Sequence, residues 1–290
     1  MKVKRMTQST SAVVVFDADN TLWDTNAVFR HAQLSLLRVF AKANSFHDED
    51  KELAVLRRVD RELINQLGRF EYDFHILATA IAYYYYKNLS VEDSVSQAIS
   101  DTTSQFNSEL SLIIDEAHLI FEKELKQIPA LFPDTETILS SIHSCKSHKH
   151  SIAVLIFSDG SHSRLERILQ AYGIRERGLF DEIIIGAKSV ESFCKAKMAG
   201  LKYLGDEADP ERTLFVMIGD SLQRDIKPAN KAGYITVYKP ANFLGQEIPS
   251  EKDEKPCYTI TTLNELTPIL KKIGLPLCFH TSNTEIQQRA

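Results

Sequence analysis

Two aspartates separated by one residue stand where an apolar run ends: Val13-Val14-Val15-Phe16 is followed by Asp17-Ala18-Asp19-Asn20-Thr21. The same kind of junction recurs twice. Residues 152–157 run into Ser158-Asp159-Gly160, and residues 214–218 into Gly219-Asp220-Ser221, with Asp225 a turn later. Carboxylates and hydroxyls in such places can act as nucleophiles, move protons or hold a hard cation. A single aspartate at a strand-to-helix corner is ordinarily a turn or cap residue. Four of them, Asp17 and Asp19 after one strand and Asp220 and Asp225 after another, point instead to a site.

The elements that must position these residues are legible in the apolar pattern. An uninterrupted, β-branched run reads as a strand buried on both faces of a parallel sheet, and ligands of such sheets bind beyond the carboxyl ends of the strands. Strands are expected at residues 13–16, 152–157, 183–185, 214–218 and 234–238, with a short one at 258–260. Helical stripes lie between them: Leu165, Ile168 and Leu169, then about residues 195–204, and finally Leu263, Leu266, Leu270 and Ile273. Strands alternating with helices require a doubly wound α/β core with helices on both faces.

Residues 25–130 carry four apolar stripes at helical spacing and no strand pattern, so they are expected to form an inserted all-helical domain. Breaks are expected at residues 44–50 and 88–93, where Ser90 is placed to cap the following helix. The core then comprises residues 1–24 and 131–275, and residues 276–290 are a polar, frayed tail.

Composition narrows the class. A net charge of −5 lacks the basic excess of a nucleic-acid binder. No apolar run approaches the ~20 residues that span a bilayer, and the N-terminal residues lack a secretory apolar core, so no membrane partner and a cytoplasmic location are expected. Cys145, Cys194, Cys257 and Cys278 are scattered without a CxxC pair, which suits a reducing compartment. His143, Cys145, His148 and His150 lie close together but read as a solvated connector, because structural zinc needs four converging ligands. The tyrosines 83–86 cannot share one helix face, and core packing is their default.

The order of the strand-end residues resembles the haloacid dehalogenase-like superfamily: DxDxT after the first strand, Ser158 after the second, a lysine, and GDxxxxD after the fourth. The likeness covers nearly the whole chain, including the insertion point of the family's helical cap. It implies a Rossmann-like core and a Mg²⁺-dependent phosphatase acting on a small phosphorylated metabolite. Asp17 is then the nucleophile and Asp19 the acid/base. Thr21 and Ser158 donate to the phosphoryl group. Asp17, the backbone carbonyl of Asp19, Asp220 and Asp225 form the metal set. The family's dehalogenases attack carbon and need no acid at the position that Asp19 occupies. The motif lysine lies among Lys188, Lys195 and Lys197; spacing favours Lys195, with Lys188 as runner-up. Because a free aspartate titrates near ~3.9, Asp19 must have a raised pKa or a timed proton uptake. Two other readings fit the pattern: a phosphotransferase or mutase, and a non-catalytic phospho-ligand or partner-binding module. Trp23 and Asp24 fall in the connection to the helical insertion, and His162 follows the Ser158 loop.

Overall fold

The computed structural model describes residues 11–41, 48–69, 72–101, 108–146, 151–206, 208–241 and 247–275. Two compact units emerge, one of residues Met1–Thr25 and Pro129–Ala290 and one of Asn26–Ile128, against expected limits of 25–130 for the insertion. Residues 276–290, expected to be a frayed tail, lie outside the described residues, as do His148, His150 and Cys278.

The first unit is built on β1 (Ser11–Phe16), β2 (Ser151–Ser158), β3 (Glu182–Ile185), β4 (Leu214–Gly219), β5 (Ile235–Tyr238) and β6 (Tyr258–Thr259). They pair in parallel in the order β3-β2-β1-β4-β5-β6. The two central strands, β1 and β4, are neighbours whose connections run to opposite sides, which opens a crevice at their carboxyl ends. Every residue of β1 is buried, and the alternation of its side chains divides the core. Ala12, Val14 and Phe16 pack with Ile138, Leu139 and Ile142 of α6 (Thr135–Lys146), Leu165 and Ile168 of α7 (His162–Ala171), and Leu266 and Leu270 of α10 (Leu266–Lys272). Val13 and Val15 face Phe193 and Ala196 of α8 (Val190–Leu204) and Ala229 of α9 (Lys227–Lys231). Contact on the latter side is close: a β-carbon on Gly200 of α8 would lie 2.4 Å from Val13 Cγ1, so glycine is what lets the helix settle on the strand.

The second unit contains α1 (Thr25–Ala41), α2 (Glu49–Leu67), α3 (Phe74–Lys87), α4 (Val91–Ser100) and α5 (Ser108–Leu125). Its stripes meet in their own core, with Leu36, Phe40, Leu56, Leu63, Ile81 and Phe121 fully buried. Ser90 caps α4 by accepting from the Asp93 amide, and Gly68 and Asn88 end α2 and α3 in left-handed conformations. Tyr83 is buried in this core, and Tyr84, Tyr85 and Tyr86 pack against it. No described helix is long and apolar enough to cross a membrane.

Candidate active site

The strand β1 delivers Asp17 to the crevice. Its amide donates to the Ile218 carbonyl at 2.8 Å, extending the β1–β4 ladder by one residue and fixing the backbone before the chain turns away. The carboxylate is buried and taken at both oxygens: Lys188 Nζ donates to Oδ1 and Thr21 Oγ1 to Oδ2 at 3.0 Å. Lys188 Nζ also donates to Asp225 Oδ1 at 2.6 Å, and its side chain is only 3% exposed. Carboxylate oxygens of Asp17, Asp220 and Asp225 lie within 4.8 Å of one another.

Asp225 arrives by an unusual route. After β4, the Ser221 carbonyl accepts from the amides of both Asp225 and Ile226, at 3.0 and 3.1 Å, a π-helical turn rather than a regular helix start. The turn folds the Asp225 carboxylate back so that its Oδ2 accepts from the Ser221 amide at 2.9 Å. A β-carbon on Gly219 would then stand 2.4 Å from Asp225 Cγ, so only glycine fits there. Arg224, on the same turn, reaches across to Asp159 at 2.9 Å and ties this loop to the one after β2.

Burial, together with the negative charges around them, drives both Asp17 and Asp220 above the ordinary carboxylate range. For Asp17 the opposing pull of Lys188 is overcome; for Asp220 the repulsion comes from Asp17 and Asp225. Burial disfavours the Lys188 cation, yet Asp17 and Asp225 more than compensate and raise its pKa above the usual lysine value. Three carboxylates thus crowd one buried lysine, with the Arg224 charge also acting on them, and their hard oxygens fit a divalent cation.

Asp19 lies two residues on in a different setting. Its Oδ1 accepts from Trp23 Nε1 at 3.0 Å, from Arg164 Nη1 at 2.8 Å and from Thr25 Oγ1. Burial favours its protonation, but the Arg164 charge and the hydrogen bonds from Thr25, Arg164 and Trp23 outweigh it and hold the pKa below the ordinary value. This is opposite in direction to the raised pKa that the sequence reading offered for Asp19 as one of two routes. Directly after Asp19 the chain turns through Asn20 in the left-handed region, φ 61°, a conformation asparagine tolerates. Lys239 holds that turn: its Nζ donates to the Asn20 carbonyl at 2.8 Å and lies over the Phe132 ring, and burial lowers its pKa to about 8.

Residues 12–233 match the family described as haloacid dehalogenase-like hydrolase. The chain belongs to that family. Among curated relatives it is 24% identical over 276 residues to glyceraldehyde 3-phosphate phosphatase of Methanocaldococcus jannaschii, covering 90% of this chain and 97% of that protein. It is 21% identical over 269 residues to human N-acylneuraminate-9-phosphatase, covering 92% and 97%. The fold is shared with a haloacid dehalogenase-like family hydrolase from Xanthomonas campestris, at a TM-score of 0.56 and 18% identity over 92% of this chain and 97% of that one. It is shared also with a HAD-hydrolase from Bacillus subtilis bound to magnesium, at 0.51 and 18% over 90% and 98%.

The site of this hydrolase-family chain corrects the sequence reading in several places. Lys195 is not beside Asp17. Ser189 and Ser192 form a capping box that starts α8 at Val190, earlier than expected, which puts Lys195 in the second turn, where it is 74% exposed and pairs with Glu191 at 2.7 Å. Lys188, one residue before the cap, reaches the carboxylates instead. The Asp19 side chain stands apart from the carboxylates of Asp17, Asp220 and Asp225, held by Trp23, Thr25 and Arg164; the sequence reading assigned the metal only its backbone carbonyl. Ser158 is buried at the end of β2, with Oγ accepting from the Gly160 amide at 3.0 Å. Cys145 is buried inside α6 rather than in a solvated connector, and His162 opens α7 3.7 Å from Glu166. Arg164 and the indole donor of Trp23 went unnoticed in the sequence. Arg164 carries no signal there, whereas a tryptophan four residues after an aspartate was a cue that could have been used.

Proposed function

We propose that this chain is a Mg²⁺-dependent phosphatase that hydrolyses a small phosphorylated metabolite through an aspartyl-phosphate on Asp17. The observation that carries the reading is the three-carboxylate cluster around one buried lysine at the carboxyl ends of β1 and β4. The excess negative charge there disfavours an anionic substrate unless a cation is present, and hard oxygen donors are the ligands Mg²⁺ takes. Asp17, Asp220 and Asp225 would hold the ion, joined by the backbone carbonyl of Asp19. Bound there, it would screen the repulsion between Asp17 and the phosphate and neutralise charge on the transferring group.

This chain's own residues supply the rest. Asp17 attacks phosphorus, dividing one hard displacement into two easier ones. Lys188 keeps its charge at neutral pH and balances the nucleophile and the phosphoryl oxygens. Ser158 accepts from a backbone amide through Oγ, so its hydroxyl hydrogen can be donated to the phosphate, whereas that of Thr21 is given to Asp17 Oδ2. Asp19, held apart by Arg164, Trp23 and Thr25, exchanges protons with the leaving group and with water. The relatives named for phosphatase activity on glyceraldehyde 3-phosphate and N-acylneuraminate 9-phosphate support a small-molecule substrate.

The test is phosphate release from a panel of sugar, triose, nucleotide and sugar-acid phosphates with Mg²⁺ and with a chelator. A second arm acid-quenches a single turnover and looks by mass spectrometry for a phosphoryl group on the peptide containing Asp17. Metal-dependent release, with a phosphoryl group trapped on Asp17, is expected. Equal inactivity of wild type and Asp17→Asn across the panel would favour a binding module.

A further inference from the structure

The donors on Asp19 are unevenly shared between its two oxygens. Three of them, from Trp23, Thr25 and Arg164, converge on Oδ1, and among the described residues none reaches Oδ2. Oδ2 points to the loop after β2: a β-carbon built on Gly160 would lie 3.4 Å from it and 3.2 Å from Ser158 Oγ. An sp² oxygen that already accepts three donors has no lone pair left for a proton, so the proton of a neutral Asp19 must sit on Oδ2.

Arg164 is the member of this set that closes it. Its Nη1 takes Asp19, while its Nη2 donates to Thr25 Oγ1 at 3.0 Å, and that hydroxyl in turn donates to Asp19. The planar guanidinium therefore fixes both the carboxylate and the hydroxyl beside it. Its own backbone is held in the first turn of α7, where the Arg164 amide donates to the capping Ser161 hydroxyl at 3.4 Å. Trp23 is fully buried and cannot swing away.

We infer that Arg164 is a positioning residue: with Trp23 and Thr25 it pins Oδ1 of Asp19, so that Oδ2 alone carries the proton to and from the reacting groups. The inference rests on the phosphatase reading above. In the first step the Oδ2–H proton passes to the ester oxygen as its bond to phosphorus breaks and the bond from an Asp17 oxygen to phosphorus forms. In the second, Oδ2 takes a proton from water as the water oxygen bonds to phosphorus and the Asp17 oxygen leaves with its electron pair.

The experiment compares Arg164→Ala and Arg164→Lys with wild type on two esters, p-nitrophenyl phosphate and an alkyl phosphate drawn from the panel. The phenolate departs without protonation, whereas the alkoxide needs the acid. The readout is kcat/KM, which covers events only through phosphoryl transfer to Asp17. Both variants should lose roughly 10² or more on the alkyl ester, the size of positioned acid catalysis, and at least tenfold less on the aryl ester. Added guanidinium should restore part of the alkyl rate of Arg164→Ala. Equal losses on both esters, as expected of a residue that only binds phosphate or only supports the fold, would overturn the inference while leaving the phosphatase reading intact. A wild type inactive on both esters would overturn both.

Discussion

The pockets around Asp17 and Asp19 are two residues apart in the chain and opposite in character. Asp17 is crowded by carboxylates, with one lysine among them, and its pKa is raised, chiefly by burial. Asp19 faces an arginine and two neutral donors, which lower its pKa against the effect of burial. In a continuing strand, residues i and i+2 would point the same way. The left-handed turn at Asn20, held by Lys239, follows directly, and the two side chains meet different partners from different loops. One short loop can therefore offer one carboxylate crowded by like charges and another that faces an arginine and neutral donors.

Removing the nucleophile should have the largest effect. Asp17→Asn is expected to lose on the order of 10⁴-fold or more in kcat and all of the trapped phosphoryl group, read by acid-quenched single-turnover mass spectrometry. Lys188→Met comes next. It should cut phosphate release by about 10³-fold, and because it strands two buried carboxylates it should lower the unfolding free energy by about 3–5 kcal/mol in denaturant titration without metal. Lys195→Met, whose partner is the exposed Glu191, should stay within about twofold of wild type in both measurements. Comparable losses for the two lysine variants would break the contrast between the buried and the exposed cation.

Gly219→Ala tests the Asp17 side from the backbone. The added carbon meets Asp225 Cγ at 2.4 Å, so the carboxylate must move. Overpacking of this kind typically costs about 1–3 kcal/mol, and the Mg²⁺ concentration for half-maximal activity, read by metal titration, should rise by about tenfold or more. Trp23→Phe tests the Asp19 side. It removes one of three donors to Oδ1, worth roughly 1.5 kcal/mol or tenfold in kcat/KM on alkyl esters, with a smaller loss on aryl esters.

The pH response sharpens the contrast with the smallest effect. A carboxylate whose folded pKa is raised above the unfolded value binds more protons when folded, so its contribution falls as pH rises through the interval between the two values. Asp17 and Asp220 are of this kind. In chelator the melting temperature should decline between about pH 5 and pH 8, and added Mg²⁺ should raise it more at the upper end than at the lower. Asp19 has the opposite sign: its stabilisation is present above its unfolded value and lost only in acid, so Asp19→Asn should leave this slope unchanged. A flat melting profile in chelator would remove the electrostatic argument for the cation.

Much of the site could be read before any coordinates. Asp17, Thr21, Ser158, Asp220 and Asp225 each end or follow an apolar run, and burial on both faces of a parallel sheet is written into such runs. The helical insertion was equally plain, since stripes at Leu53, Leu56 and Leu63 repeat at a helix period. The lysine was harder to place. Whether Lys188 or Lys195 reaches Asp17 depends on where α8 begins, and the deciding Ser189–Ser192 box has serine where glutamate or glutamine is usual. Arg164 could not have been found, because its partner Asp19 lies 145 residues away.

From the sequence alone came the strands, the helical unit and the residue types that gather at the strand ends. These follow from periodicities of two and about 3.6 that each segment carries within itself. Only the tertiary structure decided which lysine stands beside Asp17 and that Arg164 takes the carboxylate of Asp19. It also brought Asp225 back over Gly219 through a π-helical turn. Such choices turn on approaches of a few ångströms between loops far apart in the chain, set by strand order and helix starts, and no local pattern encodes them.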